Sequence, residues 1–210
     1  MDELFRNHGL CEIFNCYFAN NDSQARGGVI YNELNNRDGI LIGDSIFEYN
    51  SSKSAGVLFN NIWAVLKIQN SKLMKNTAEQ YGGALECFGN VKLEDCCFIQ
   101  NSAERGGAIV VNPESDASFS GCEFKSNHAE EGGGLFCSGE LSLMKCHFTS
   151  NIAENYGGAI FAHGDSNALL FECILEKNSA ESGGAIYEDY SAKVKLIDTK
   201  FDQNVPDDRA

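Results

Sequence analysis

The chain has 210 residues, enough for one domain with a sizeable core, and its 30 Asp plus Glu against 16 Lys plus Arg give a formal net charge of −14. That surplus excludes a phosphate-binding face, and so nucleic acid as a partner, and it disfavours unaided docking to anionic membranes. No run approaches the ~18–20 apolar residues of a membrane-spanning helix, so no direct membrane insertion is expected.

In chain order, the first nine residues carry no basic segment followed by an apolar stretch, the mark of a secretory signal. The chain is therefore expected to be intracellular or a piece of something longer. From residue 11 a unit begins: the apolar pair Cys11 and Ile13, the small residue Cys16, then Phe18, Asn21, Gly27-Gly28 and Val29-Ile30-Tyr31. The second unit repeats it with Ile40, Ile42, Ser45, Phe47, Asn50, Ala55-Gly56 and Val57-Leu58-Phe59, and the third with Leu66, Ile68, Ser71, Leu73, Asn76 and Gly82-Gly83. Units four to seven are marked by Cys96, Cys122, Cys146 and Cys173, each two residues before a Phe or Leu and five before an Asn. The eighth ends at Thr199, Phe201 and Asn204. The Asn residues recur every 24 to 29 positions.

Period-two alternation at each end of the unit is the strand signature, and the offset between its halves predicts a bend. A unit of roughly 26 residues with two or three short strands cannot bury its apolar face alone and must stack on its neighbours. The expected fold is all-β: a right-handed parallel β-helix of about eight rungs, ~4.8 Å apart. One domain over residues 1–210 is expected, with the repeats at about 11–204 and insertions confined to loops such as 31–39 and 110–116. Neither the first ten residues nor Val205 to Ala210 offers an amphipathic helix to cover an end rung. A longer array or end-to-end self-association is therefore expected.

Stacking turns equivalent positions into columns. The Asn column is expected in a turn, its amides bonding backbone and one another. The Cys/Ser/Thr column is expected to point inward as small filler, and Cys97, next to Cys96, to be the exposed thiol. Three residues beyond the Asn stand Gln24, Lys53, Glu79, Glu104, Glu130, Glu154, Glu181 and Asp207. Five consecutive glutamates are either a solvated, mutually repelling turn, at roughly 0.8 kcal/mol per neighbouring pair in water, or a strip for cations such as calcium. After the Gly-Gly pair a third column holds Tyr31, Phe59, Glu86, Val110, Phe136, Phe161 and Tyr187. Its rings either face out, as a stripe for a sugar or a partner protein, or lie in the core.

Catalysis needs convergent acid, base and ligand groups. The nearest clusters, Glu188-Asp189 and His163-Gly164-Asp165, fall in different rungs with no Arg at matching height, and Asp44 and Asp95 are isolated. No zinc spacing, no cofactor motif and no catalytic triad are legible, so the expectation is no enzyme, no metal and no cofactor.

The clearest copies, FIQNSAERGGAI from Phe98, FTSNIAENYGGAI from Phe148 and LEKNSAESGGAI from Leu175, resemble the repeat of the chlamydial polymorphic outer membrane proteins. Those are adhesin-like surface proteins with a right-handed β-helix passenger, and similar repeats occur in large surface proteins of some protists. The second copy departs at Ala55-Gly56-Val57-Leu58. The resemblance implies a cell-surface or secreted, non-catalytic module that binds a host or cell-surface protein or glycan. The alternatives are a carbohydrate-active β-helix enzyme, a lyase or hydrolase, and a passive spacer.

Overall fold

A computed structural model describes residues 5–206. Each repeat is one turn of a parallel coil, and equivalent strands stack into sheets. Sheet A comprises Phe5–Asn7, Ile30–Asn32, Leu58–Asn60, Leu85–Cys87, Ile109–Val111, Leu135–Cys137, Ile160–Ala162 and Ile186–Glu188, in that order. Sheet B comprises Cys11–Phe14, Ile40–Gly43, Val65–Gln69, Asn90–Glu94, Asp116–Ser120, Glu140–Met144, Asn167–Phe171 and Lys193–Ile197. Sheet C comprises Tyr17–Ala19, Ile46–Glu48, Lys72–Met74, Cys97–Ile99, Glu123–Lys125, His147–Thr149, Ile174–Glu176 and Lys200–Asp202. A fourth, shorter face, D, is built from Asp22–Arg26, Ser51–Ser54, Thr77–Ala78, His128–Glu131 and Ile152–Tyr156, continued by single bridges such as Thr77 to Ser102. Among the described residues there is no helix. The eight coils of the sequence pattern are the eight rungs of sheets A, B and C.

The corners explain why the repeat bends where it does. The residue before the Cys/Ser column (Asp44, Asn70, Asp95, Lys145) and the residue before the ladder Asn (Tyr49, Lys75, Gln100, Ser150) are left-handed, with φ between +48° and +55°. Each turns the chain while keeping the next strand in step with its neighbours. At the third corner the two glycines answer different demands. Gly106 has φ +62°, and a Cβ on Gly107 would be driven into the Gly133 carbonyl oxygen of the next coil.

The interior is filled by columns in register. Phe98, Phe124 and Phe148 stack nearly parallel, with ring centroids 5.0 and 4.5 Å apart. Ile68, Leu93, Phe119 and Leu143 rise beside them, and Leu58, Leu85, Ile109 and Leu135 close the third side. Each such side chain contributes about 1.5–3 kcal/mol on burial, but only with a coil above and below it. In the last coil Leu196 is exposed and Val194 and Phe201 are only partly covered, as are Cys11, Ile13 and Phe18 in the first.

The Asn column is a closed hydrogen-bond ladder. Asn127 Nδ2 donates to Asn151 Oδ1 at 2.9 Å and to the Phe98 carbonyl at 2.9 Å, while its own Oδ1 accepts from the Asn101 backbone N–H and Nδ2. The same set recurs from Asn50 to Asn178. It satisfies the buried polar backbone at that corner in every coil. Cys96, Cys122, Cys146 and Cys173 point inward and are buried, completing a second narrow column.

Candidate functional site

The outer face of sheet A brings aromatic and charged side chains together. Its strands are three residues long, and the first and third point into the coil. The middle residues are the column Tyr31, Phe59, Glu86, Val110, Phe136, Phe161 and Tyr187, paired directly from coil to coil. That column faces away from the main core, yet Phe59, Phe136 and Phe161 are only 1%, 6% and 3% exposed. The cover comes from the residue just before each Gly-Gly pair, which reaches back over the sheet. Arg26 lies over the Phe59 ring at 4.9 Å and Arg105 over Phe136 at 5.5 Å, and Tyr156 packs on Tyr187 at 4.6 Å. Val110, Phe136 and Phe161, flanked by Tyr81 and Tyr187, thus form a second apolar cluster outside the coil. The column is neither an open stripe nor part of the main core.

Two residues beyond this column, on the opposite side, stand Glu33, Asn61, Phe88, Asn112, Ser138, His163 and Asp189. At the C-terminal end of sheet A these three columns frame a groove of about 480 Å³ lined by Arg105, Glu131, Tyr156, Phe161, His163, Tyr187, Asp189 and Tyr190. Of the five aromatics singled out in the sequence, Phe161 and Tyr187 reach this groove. Phe136 packs against its His163, and Tyr31 and Phe59 lie at the other end of the sheet.

The groove's charged groups are paired. Arg105 Nε lies 2.8 Å from Glu131 Oε2, and His163 Nδ1 lies 2.8 Å from Asp189 Oδ2, whose other oxygen accepts from the Gly164 N–H at 3.2 Å. Here the sequence reading needs correction. His163 and Asp189 fall in different rungs, but adjacent rungs are neighbours in space, so this separation is what joins them. Arg105 belongs to the opposite wall of the same groove. Further along the sheet Glu86 is buried, and burial pushes its carboxyl above the usual range against the opposing effects of the Ser54 hydroxyl and Arg26. The Ser54 hydroxyl donates to Glu86 Oε2.

The other sequence candidates lie elsewhere. Glu79, Glu104, Glu130, Glu154 and Glu181 are exposed on face D, and Glu154 has His128 at 3.9 Å. Asp207 lies outside the described residues. Among the described residues no group of three or more His, Cys, Asp or Glu is placed to hold a metal ion. Cys97 faces outward on sheet C but is half-buried, and burial, with Glu123 beside it, pushes its thiol up. Among the inward thiols burial pushes Cys137 up to about 12, and the Cys122 thiol and burial together raise Cys96 far above its ordinary value.

Against known proteins, a family model described as the right handed beta helix region matches residues 4–172. No curated protein and no solved structure matches the chain.

Proposed function

The chain belongs to the right-handed β-helix family, and from that premise we propose that it is a non-catalytic binding module that holds its partner along the outer face of sheet A. The observation that carries this reading is the groove. It is a concave surface of about 480 Å³ on a rigid sheet, walled by Tyr156, Tyr187 and Tyr190, with Arg105 and His163 each held in place by a carboxylate. Aromatic anchors with fixed polar groups between them are the composition of binding sites that act by complementarity.

The repeat motifs support a surface-displayed module of the polymorphic outer membrane protein type, cell-surface or secreted, whose partner is a host or cell-surface protein or a glycan. The net charge of −14 argues against nucleic acid.

One specific observation favours the alternative of a carbohydrate-active enzyme: His163, Asp189 and Glu131 line one open groove. The experiment that separates the readings screens glycans and cell-surface proteins with the wild type and with Tyr156→Ala/Tyr187→Ala, and follows turnover on neutral and acidic polysaccharides. Binding lost in a folded double variant, with ligands recovered intact, supports the proposal. Hydrolysis or β-elimination that depends on His163 or Glu131 overturns it, as does binding that the double variant leaves untouched. A screen that returns no partner points to the spacer.

A further inference from the structure

The outer face of sheet B is electrically unlike the rest of the chain. Its outward side chains include Lys67, Lys92, Lys193 and Lys195 and also Glu12, Glu94, Asp116 and Glu140. The face is therefore formally neutral on a chain of net charge −14. Lys92 pairs with Glu94 at 2.7 Å, while Lys67, Lys195, Glu12 and Asp116 have no ion-pair partner among the described residues. A neutral face is the one on which two such acidic chains repel least.

The charges are also ordered along the coil. The mid-strand column stays in direct register throughout. Its first four coils carry Glu12, Leu41, Lys67 and Lys92, and its last four carry Ser118, Ser142, Leu169 and Lys195. Taken from opposite ends, the two halves match. Glu12 answers Lys195, Leu41 answers Leu169, and the two long lysines answer the two serines. One column over from those serines stand Asp116 and Glu140. The short serines leave room: a depression of about 440 Å³ lies around Ser142 and Glu140, and one of about 280 Å³ beside Ser118 and Asp116. At the far end of the strands, Phe14 answers Ile197 and Gln69 answers Met144 in the same order.

We infer that a second copy of this chain docks on the outer face of sheet B, face to face and antiparallel. The two-fold axis runs along the strands, between the fourth and fifth coils. It sets Lys67 of each copy over Ser142 of the other, with its ammonium at Glu140, and Lys92 over Ser118 at Asp116. Glu140 Oε1 accepts from Asn167 Nδ2 at 2.7 Å, which leaves Oε2 for the lysine. A two-fold along the coil axis would instead set Lys67, Lys92 and Lys195 each against its own copy, and like charges in contact disfavour it. Seven steps of ~4.8 Å by five residues of ~3.3 Å give a face of about 34 by 16 Å, so about 1,100 Å² is buried over both copies. That clears the roughly 1,000 Å² of a specific interface and falls short of the standard size of about 1,600 Å². The dimer is therefore reversible. Sheet A lies on another face of the coil, so each copy keeps its groove open, and two linked grooves raise avidity for a repeated ligand. The inference does not depend on what that groove binds.

The test is sedimentation equilibrium from about 1 μM to about 1 mM chain. It compares the wild type, Lys67→Glu, Glu140→Lys, the double variant Lys67→Glu/Glu140→Lys, and an equimolar mixture of the two single variants. Both side chains are exposed, so the variants fold as the wild type does, which circular dichroism checks. Each single reversal brings like charges together twice per dimer and weakens association about tenfold. The double variant regains wild-type affinity, because the exchanged charges still meet across the axis. The mixture associates more tightly than either single variant alone. X-ray scattering of the wild-type dimer shows a particle as long as one copy and about twice as thick. A wild type that stays monomeric overturns the inference. So does a dimer that the single reversals leave unchanged, or a double variant or mixture no tighter than the single variants. A particle twice as long as one copy is end-to-end association and overturns it equally.

Discussion

Replacing Asn127 by Ala removes four hydrogen bonds at once from the centre of the coil. Its Nδ2 loses Asn151 Oδ1 and the Phe98 carbonyl, both at 2.9 Å, and its Oδ1 no longer accepts from the Asn101 backbone N–H at 2.9 Å or from Asn101 Nδ2 at 3.1 Å. At about 1 kcal/mol each the loss is about 4 kcal/mol, and the side chain is fully buried, so water cannot replace the partners. For a chain of this size that lowers the melting temperature by about 8–16 °C. Asn204, in the last coil, makes one fewer of these bonds: it donates to the Leu175 carbonyl and accepts from the Asn178 backbone N–H and Nδ2. It also closes only one coil interface, so Asn204→Ala frays an end and costs less than Asn127→Ala. Thermal melts followed by circular dichroism, with urea titrations of both variants, measure the contrast. Equal losses at the two positions, or less than about 1 kcal/mol at Asn127, refute the ladder as a source of stability.

Native-state alkylation should label Cys97 and the partly exposed Cys11 and Cys16, leaving Cys96, Cys122, Cys146 and Cys173 untouched until unfolding; rapid labelling of the inward four would contradict their burial. Because the Cys97 thiol is pushed above its ordinary 9.0, its labelling rate should still be climbing above pH 9. Burial raises the folded pKa of Glu86 above its usual 4.5, so the stability it lends to the fold is present in acid and lost as pH rises through the raised value. Glu86→Gln should therefore gain melting temperature over the wild type as pH increases from about 4.5 upward, and a pH-independent difference would refute that. On face D, Glu104→Gln/Glu130→Gln should be slightly more stable with or without millimolar calcium, as expected of repelling exposed carboxylates; a calcium-dependent gain in the wild type that the variant loses would instead assign the strip to cations.

Much of the coil is legible in the sequence because its demands repeat. The ladder asks for Asn in every coil, the interior asks for Phe or Leu three residues earlier, and eight copies make such columns visible without a structure. The groove does not repeat, and so it is hidden. Its upper wall is the residue before each Gly-Gly pair, and from Arg26 to Ser182 that position reads Arg, Ser, Tyr, Arg, Glu, Tyr, Ser. Period-two reasoning also fails on sheet A, where all three residues of a strand such as Leu135–Cys137 are buried, the middle one by a cover from another part of the coil.

The most direct test of the account is a structure of the protein with a partner bound. The account predicts the partner along the outer face of sheet A, in contact with Tyr156, Phe161, His163, Tyr187 and Tyr190, and chemically intact. A partner seated on sheet B, on sheet C or at a coil end, or a cleaved product in the groove, would contradict it.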